Sequence, residues 1–152
     1  MYYNSWIEGN HLFIQMEYCS HSLRHILKLK EQVFGKQPVE AMNPVERFIT
    51  CHIYREILEC VQYLHDLTPR VIHRDLKPDN ILIAHRVENN RFIKFFDFGL
   101  ATVHDTETLQ CEHSVVGSGR FIAPEVYQRK YNHKADIYSL AIIGIDMFGI
   151  DV

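Results

Sequence analysis

The stretch VIHRDLKPDNILI, residues 71–83, constrains the chain more than any other. It sets His73, Arg74, Asp75, Lys77 and Asp79, with Asn80 beside them, between two short apolar runs. Val71-Ile72 and Ile81-Leu82-Ile83 read as buried strands of β-branched and aliphatic residues. A loop joining such strands for structural reasons alone would use Gly, Asn, Ser and one turn-setting Pro. This one carries charges of both signs and is held by strand at each end. Loops on a rigid scaffold are where chemistry is placed.

The flanking sequence supplies that scaffold. Tyr2–Glu8 and Leu12–Tyr18 flank Gly9-Asn10 and predict a hairpin, with Trp6 and the Tyr2-Tyr3 pair as core or interface aromatics. Ser20–Lys30 has apolar residues at three-four spacing and predicts a helix, and residues 31–42, with Gly35 and Pro38, predict a loop. Asn43-Pro44-Val45-Glu46 is a helix start with a capping residue, a first-turn proline and a glutamate that can reach back. That helix should run to about His65. Ile81–Ala84 and Phe92–Phe96 predict two strands with a turn at Glu88-Asn89-Asn90, and residues 100–123 read as irregular. A last helix, Lys134–Phe148, is apolar on nearly all sides from Leu140, as in the middle of a protein.

Composition narrows the function. The net charge of −3 gives no broad attraction to nucleic acid or an anionic membrane. The longest apolar tract, Leu140 to Ile150, is interrupted by Asp146 and is too short for a bilayer. The start MYYNSWIEGN lacks a basic segment followed by an apolar one. Cys19, Cys51, Cys60 and Cys111 are widely spaced with no CxxC pair, which suits reduced thiols and a cytoplasmic location. His21 and His25 share a helix face, but without a third ligand they do not make a zinc site.

Asp75 and Asn80 lie five residues apart, and Asp97-Phe98-Gly99 follows a strand seventeen residues later. If strands 81–84 and 92–96 pair, their ends bring Asp97 back beside Asn80. One carboxylate and one amide then offer oxygen ligands to Mg²⁺, which fills its remaining positions with water and phosphate. Asp75 can accept a proton from an incoming hydroxyl, and Lys77 can balance the charge of a phosphoryl group. Positioning, metal, neutralisation and one base are what phosphoryl transfer requires.

His73-Arg74-Asp75-Leu76-Lys77-Pro78-Asp79-Asn80 resembles the catalytic loop of eukaryotic protein kinases, Asp97-Phe98-Gly99 their metal-binding motif, and Ala123-Pro124-Glu125 the end of their activation segment. The resemblance implies an α+β, protein-kinase-like fold. Residues 1–19 would supply the end of the small-lobe sheet and the hinge, and 20–152 the first half of the mainly helical large lobe. It implies ATP and Mg²⁺ as cofactors and a protein hydroxyl as substrate. Asp75 would orient and deprotonate that hydroxyl, Lys77 would contact the transferring phosphate, and Asn80 and Asp97 would hold the metal. Leu12–Cys19 resembles the adenine-receiving strand and hinge. Glu17 carbonyl and Cys19 amide would bond the base, Met16 would close the back of the pocket, and Leu82 would lie beneath the ring. Asp136 would brace the catalytic loop from the central helix.

Lys77 with Ser118 resembles the serine/threonine class, in which a hydroxyl bridges the catalytic aspartate and lysine. Arg74 is then a partner for a phosphate on segment 100–123. Ser114 is favoured over Thr106 and Thr108, which sit beside Asp105 and Glu107. More narrowly, Tyr2–Glu8 with Ile14–Cys19 resembles kinases of the α subunit of translation initiation factor two. No GxGxxG is present and no lysine precedes Lys28, so the sequence reads as the interior of a kinase domain, with Met147-Phe148 exposed. The alternative is a pseudokinase-like module that binds a nucleotide or partner without catalysis. Intact Asp75, Asn80 and Asp97 favour the kinase.

Overall fold

A computed structural model describes residues 2–34, 42–88, 91–104, 111–112 and 114–151. Thr106, Thr108 and the tip of the turn at Asn89-Asn90 lie outside the described residues.

Three α-helices and nine strands organise the described chain. They are β1 (Tyr2–Glu8), β2 (His11–Met16), β3 (His21–Ser22), α1 (Leu23–Phe34), α2 (Pro44–Asp66), β4 (Arg70–Ile72), β5 (Ile81–Glu88), β6 (Arg91–Phe95), β7 (Thr102–His104), β8 (Cys111–Glu112), β9 (Lys130–Tyr131) and α3 (Lys134–Phe148). The result is an α+β arrangement in which three helices carry the core and short antiparallel sheets carry the loops. No described helix is long and apolar enough to cross a membrane.

Helix α2 begins where its cap predicts. The Asn43 side chain accepts from the Glu46 amide at 2.9 Å, and Pro44 occupies the first turn. Its inner face buries Ile53, Ile57, Val61 and Leu64, and the first three meet Leu23, Leu76, Ile81, Ile93, Phe121, Leu140, Ile143 and Met147 in one cluster. Phe48 and Ile49, expected on that face, are exposed, because the inward positions of the first two turns are taken by Glu46 and Thr50. The Tyr54 hydroxyl donates to Leu140 O at 3.0 Å, and a Cβ on Gly144 would sit 2.9 Å from that hydroxyl. Glycine therefore lets α2 and α3 approach.

Four expectations are corrected. Helix α1 starts at Leu23 rather than Ser20, because His21 and Ser22 pair with Ile83 and Leu82, and it continues to Phe34. Segment 100–123 is not irregular throughout: β7 pairs with β4 and β8 with β9. Met147 is buried, covered by α1 and α2, and Phe148 packs edge-on against Tyr54. Trp6 is no core residue: it is 45 % exposed and stacks on Phe13, because the β1–β2 sheet has only those two strands.

Candidate active site

The charged loop, residues 73–80, runs from β4 to β5, and α3 holds it from beneath. Asp136, fully buried in the first turn of α3, accepts from His73 N (Oδ2) and Arg74 N (Oδ1), each at 2.9 Å. His65 at the end of α2 donates to Asp136 Oδ2 at 2.8 Å. One carboxylate thereby satisfies two loop amides that no sheet pairs, and Arg74 can hold a left-handed φ of 69°. The bracing role expected for Asp136 is present as direct contact. The part of His65 was not legible, since nothing in its spacing sets it apart from nine other histidines.

His73 is scaffold. It is fully buried, its ring packs on Phe95 and Phe98, and Nε2 donates to Phe96 O at 3.1 Å. The Asp75 amide points at Nδ1 from 3.4 Å, as a neutral imidazole allows. Burial holds the imidazole below the ordinary histidine value, against the pull of Asp136 and the other nearby carboxylates.

Around Asp75 the predicted residues gather. Its Oδ2 accepts from Lys77 Nζ at 2.8 Å and from Asn80 Nδ2 at 2.9 Å. Asn80 Nδ2 also donates to Asp75 O at 2.9 Å. Lys77 Nζ donates onward to Ser118 Oγ at 2.6 Å. The serine expected to bridge aspartate and lysine thus bonds to the lysine, and the lysine reaches the aspartate. Asp75 Oδ1 is buried and has no hydrogen-bond partner among the described residues. Gly117 sits beside Ser118 with a φ of +125°, and a Cβ there would lie 3.0 Å from Arg74 O. Only glycine lets the segment come this close.

Pairing of Ile81 with Phe95, extended by Phe96 N donating to Asn80 O at 2.9 Å, returns the chain beside Asn80. Asp97 follows at once, at a left-handed φ of 61°, exposed, with Oδ1 accepting from Gly99 N at 3.3 Å. With its amide hydrogens spent on Asp75, Asn80 offers Oδ1. The amide oxygen and the exposed carboxylate are a hard donor pair, and they fit Mg²⁺.

The residues that the resemblance gave to adenine are less drawn together. Leu82 is half-buried opposite Lys94, whose ammonium lies 3.3 Å from Glu17, so β6 is clipped to the segment after β2. Cys19 is half-buried, and burial, aided by the Glu17 charge, raises its thiol pKa. Met16, at the end of β2, is 46 % exposed.

Two contacts, one on the loop and one on β6, were not foreseen. Arg24 at the start of α1 pairs with Asp79 at 3.1 Å, while its amide donates to Pro78 O at 3.0 Å. Glu56, buried in α2, accepts from the amides of Phe92 and Ile93 at 2.7 and 2.8 Å and so holds the outer edge of β6.

A profile of the protein kinase domain matches residues 1–150, and the chain belongs to that family. Among similar proteins, the serine/threonine-protein kinase cst-1 of Caenorhabditis elegans is 35% identical over 148 residues, covering 96% of this chain and 26% of that protein. The serine/threonine-protein kinase pakG of Dictyostelium discoideum is 35% identical over 149 residues, covering 96% of this chain and 11% of that protein. The chain thus spans about a quarter or less of the length of these relatives. In the crystal structure of the yeast RNA Pol II CTD kinase CTDK-1 complex, one chain superposes with a TM-score of 0.72 at 22% identity. That match covers 96% of this chain and 43% of the other, and it is a likeness of fold.

Proposed function

We propose that this chain carries the phosphoryl-transfer centre of an ATP-dependent serine/threonine protein kinase, acting on a serine or threonine hydroxyl of a protein. The observation that supports this best is Asp75 Oδ1. A buried acceptor without a donor is costly, and it suits a site that receives its donor from outside. A substrate hydroxyl is such a donor. Lys77 and Asn80 fix Oδ2, so the free oxygen is held in one orientation. As the hydroxyl oxygen attacks, its proton passes to Asp75 Oδ1. Lys77, bonded to both Asp75 and Ser118, places a positive charge beside the transferring group.

Asn80 and Asp97 would hold Mg²⁺, which neutralises phosphate charge when bound. Glu17 carbonyl and Cys19 amide would take the adenine edge, between Met16 and Leu82. The raised thiol pKa at Cys19 suits a residue that serves through its backbone. Ser114 Oγ lies 3.4 Å from Arg74 Nη1, so a phosphate there would meet a guanidinium already in place. A location among reduced thiols in the cytoplasm accords with free Cys19, Cys51 and Cys60.

The test is transfer of label from γ-labelled ATP with Mg²⁺ by the full-length protein, followed by phosphoamino-acid analysis. Phosphoserine or phosphothreonine is expected, with Mg²⁺-dependent nucleotide binding weakened in Asp97→Asn. Nucleotide binding without any transfer would move the protein to the pseudokinase reading.

A further inference from the structure

Tyr131 lies outside every residue assigned above, yet its hydroxyl reaches the segment that carries Ser118. The side chain is 1% exposed, its ring packed with Ala123, Val126 and Ala135. The hydroxyl donates to Ser114 O at 2.8 Å and accepts from Arg74 Nη1 at 3.3 Å. Arg74 Nε donates to Leu100 O at 2.5 Å. One buried phenol and one guanidinium thus join both ends of the segment between Leu100 and Ser114 to the residue before Asp75. The backbone of Tyr131 adds a second tie, since β9 pairs Tyr131 with Cys111 and Lys130 with Glu112.

We propose that Tyr131 is a positioning residue for phosphoryl transfer, its hydroxyl holding Ser114 so that Ser118, four residues on, meets Lys77. The proposal rests on the kinase reading above. Four residues leave little slack, and at Gly117 within them even a Cβ would meet Arg74 O and Ile122 at 3.0 Å. A shift at Ser114 is therefore passed to Ser118 and from there to Lys77 and Asp75. Misplacement of catalytic groups by about 1 Å can cost up to about a hundredfold in rate. The bridge holds through a carbonyl and a phenol, so it needs no phosphate at Ser114.

Tyr131→Phe in the full-length protein keeps the ring and removes the bridge. The expected result is a fall in kcat of about ten- to a hundredfold, with KM for ATP within about twofold of wild type. Hydrogen exchange at the amides of 114–118 should quicken while Tm stays nearly constant. In a Ser118→Ala background the same substitution should change kcat by less than about twofold, because the group it positions is gone. Equal losses in both backgrounds, or kcat in Tyr131→Phe within about twofold of wild type, would overturn the bridge while leaving an active wild type as a kinase. A wild type that transfers no phosphate would overturn the function and the bridge together.

Discussion

The β1–β2 hairpin and the charged loop 73–80 each reverse the burial that their residue types predict. The hairpin is strongly apolar, yet Trp6, Ile7, Leu12, Phe13 and Ile14 are all exposed. The loop is strongly polar, yet His73, Asp75 and Asn80 are buried. What differs is the number of elements that reach each one. The hairpin forms a sheet of two strands whose only described aromatic contact is Trp6 on Phe13. The loop receives Asp136 from α3, Phe96 O beyond β6, and Arg24 from α1. Burial follows from partner layers rather than from residue type alone, and a two-stranded ribbon is marginal without a third layer. Around the charged loop this chain supplies its own support. Around the hairpin the described residues show no third layer.

Substitutions on the two sides should differ accordingly. Asp136→Ala strands the amides of His73 and Arg74 and unpairs His65, at about 1–3 kcal/mol for each buried group. A loss of about 3–5 kcal/mol is expected in urea denaturation of the full-length protein, and one below about 1 kcal/mol would mean the loop holds itself. Gly117→Ala forces a side chain to φ +125° and against Arg74 O, so about 1–3 kcal/mol should be lost. Activity should fall with it as Ser118 leaves Lys77, and unchanged activity would show that the close approach is dispensable.

A smaller effect lies in pH. Burial keeps His73 below its ordinary value of 6.5, so the unfolded chain takes up a proton there first. The stability from this group is complete above pH 6.5 and is lost as pH falls below it toward the folded-state value. Denaturation between about pH 7 and about pH 5 should show a shallower decline in His73→Phe than in wild type. Equal declines would place the titrating group elsewhere. The smallest loss belongs to the hairpin: Trp6→Ala should cost only about 0.5–1 kcal/mol, being half-exposed on a single stacking partner. A loss above about 2 kcal/mol would show that the hairpin is as firmly held as the loop.

Much of this contrast was readable from residues, and some was not. Asn43-Pro44-Glu46 marked the start of α2, and Lys134 and Phe148 bounded α3, because caps and helical spacing act over a few residues. The hairpin closing Asp97 onto Asn80 followed from strand spacing. The start of α1 was misplaced because β3 is set by pairing with Leu82 and Ile83, about sixty residues away. The strand Thr102–His104 was hidden for the same reason, since its partner is Arg70–Ile72. His65, Glu56 and Tyr131 carry no local mark at all. Their partners are backbone groups or a carboxylate that only the folded chain brings within reach. The kinase motifs were legible because several chemical groups recur at fixed spacing, whereas each of these supports is a single residue.

The role of Asp75 as the base of a phosphoryl-transfer site is tested most directly by kcat of Asp75→Asn in the full-length protein. Asparagine keeps the size of the side chain, so nucleotide affinity should stay close to wild type while the proton acceptor is lost. A general base contributes about 10²–10⁴ in rate, so kcat should fall by that factor. A variant whose kcat stays within about threefold of wild type would contradict the assignment.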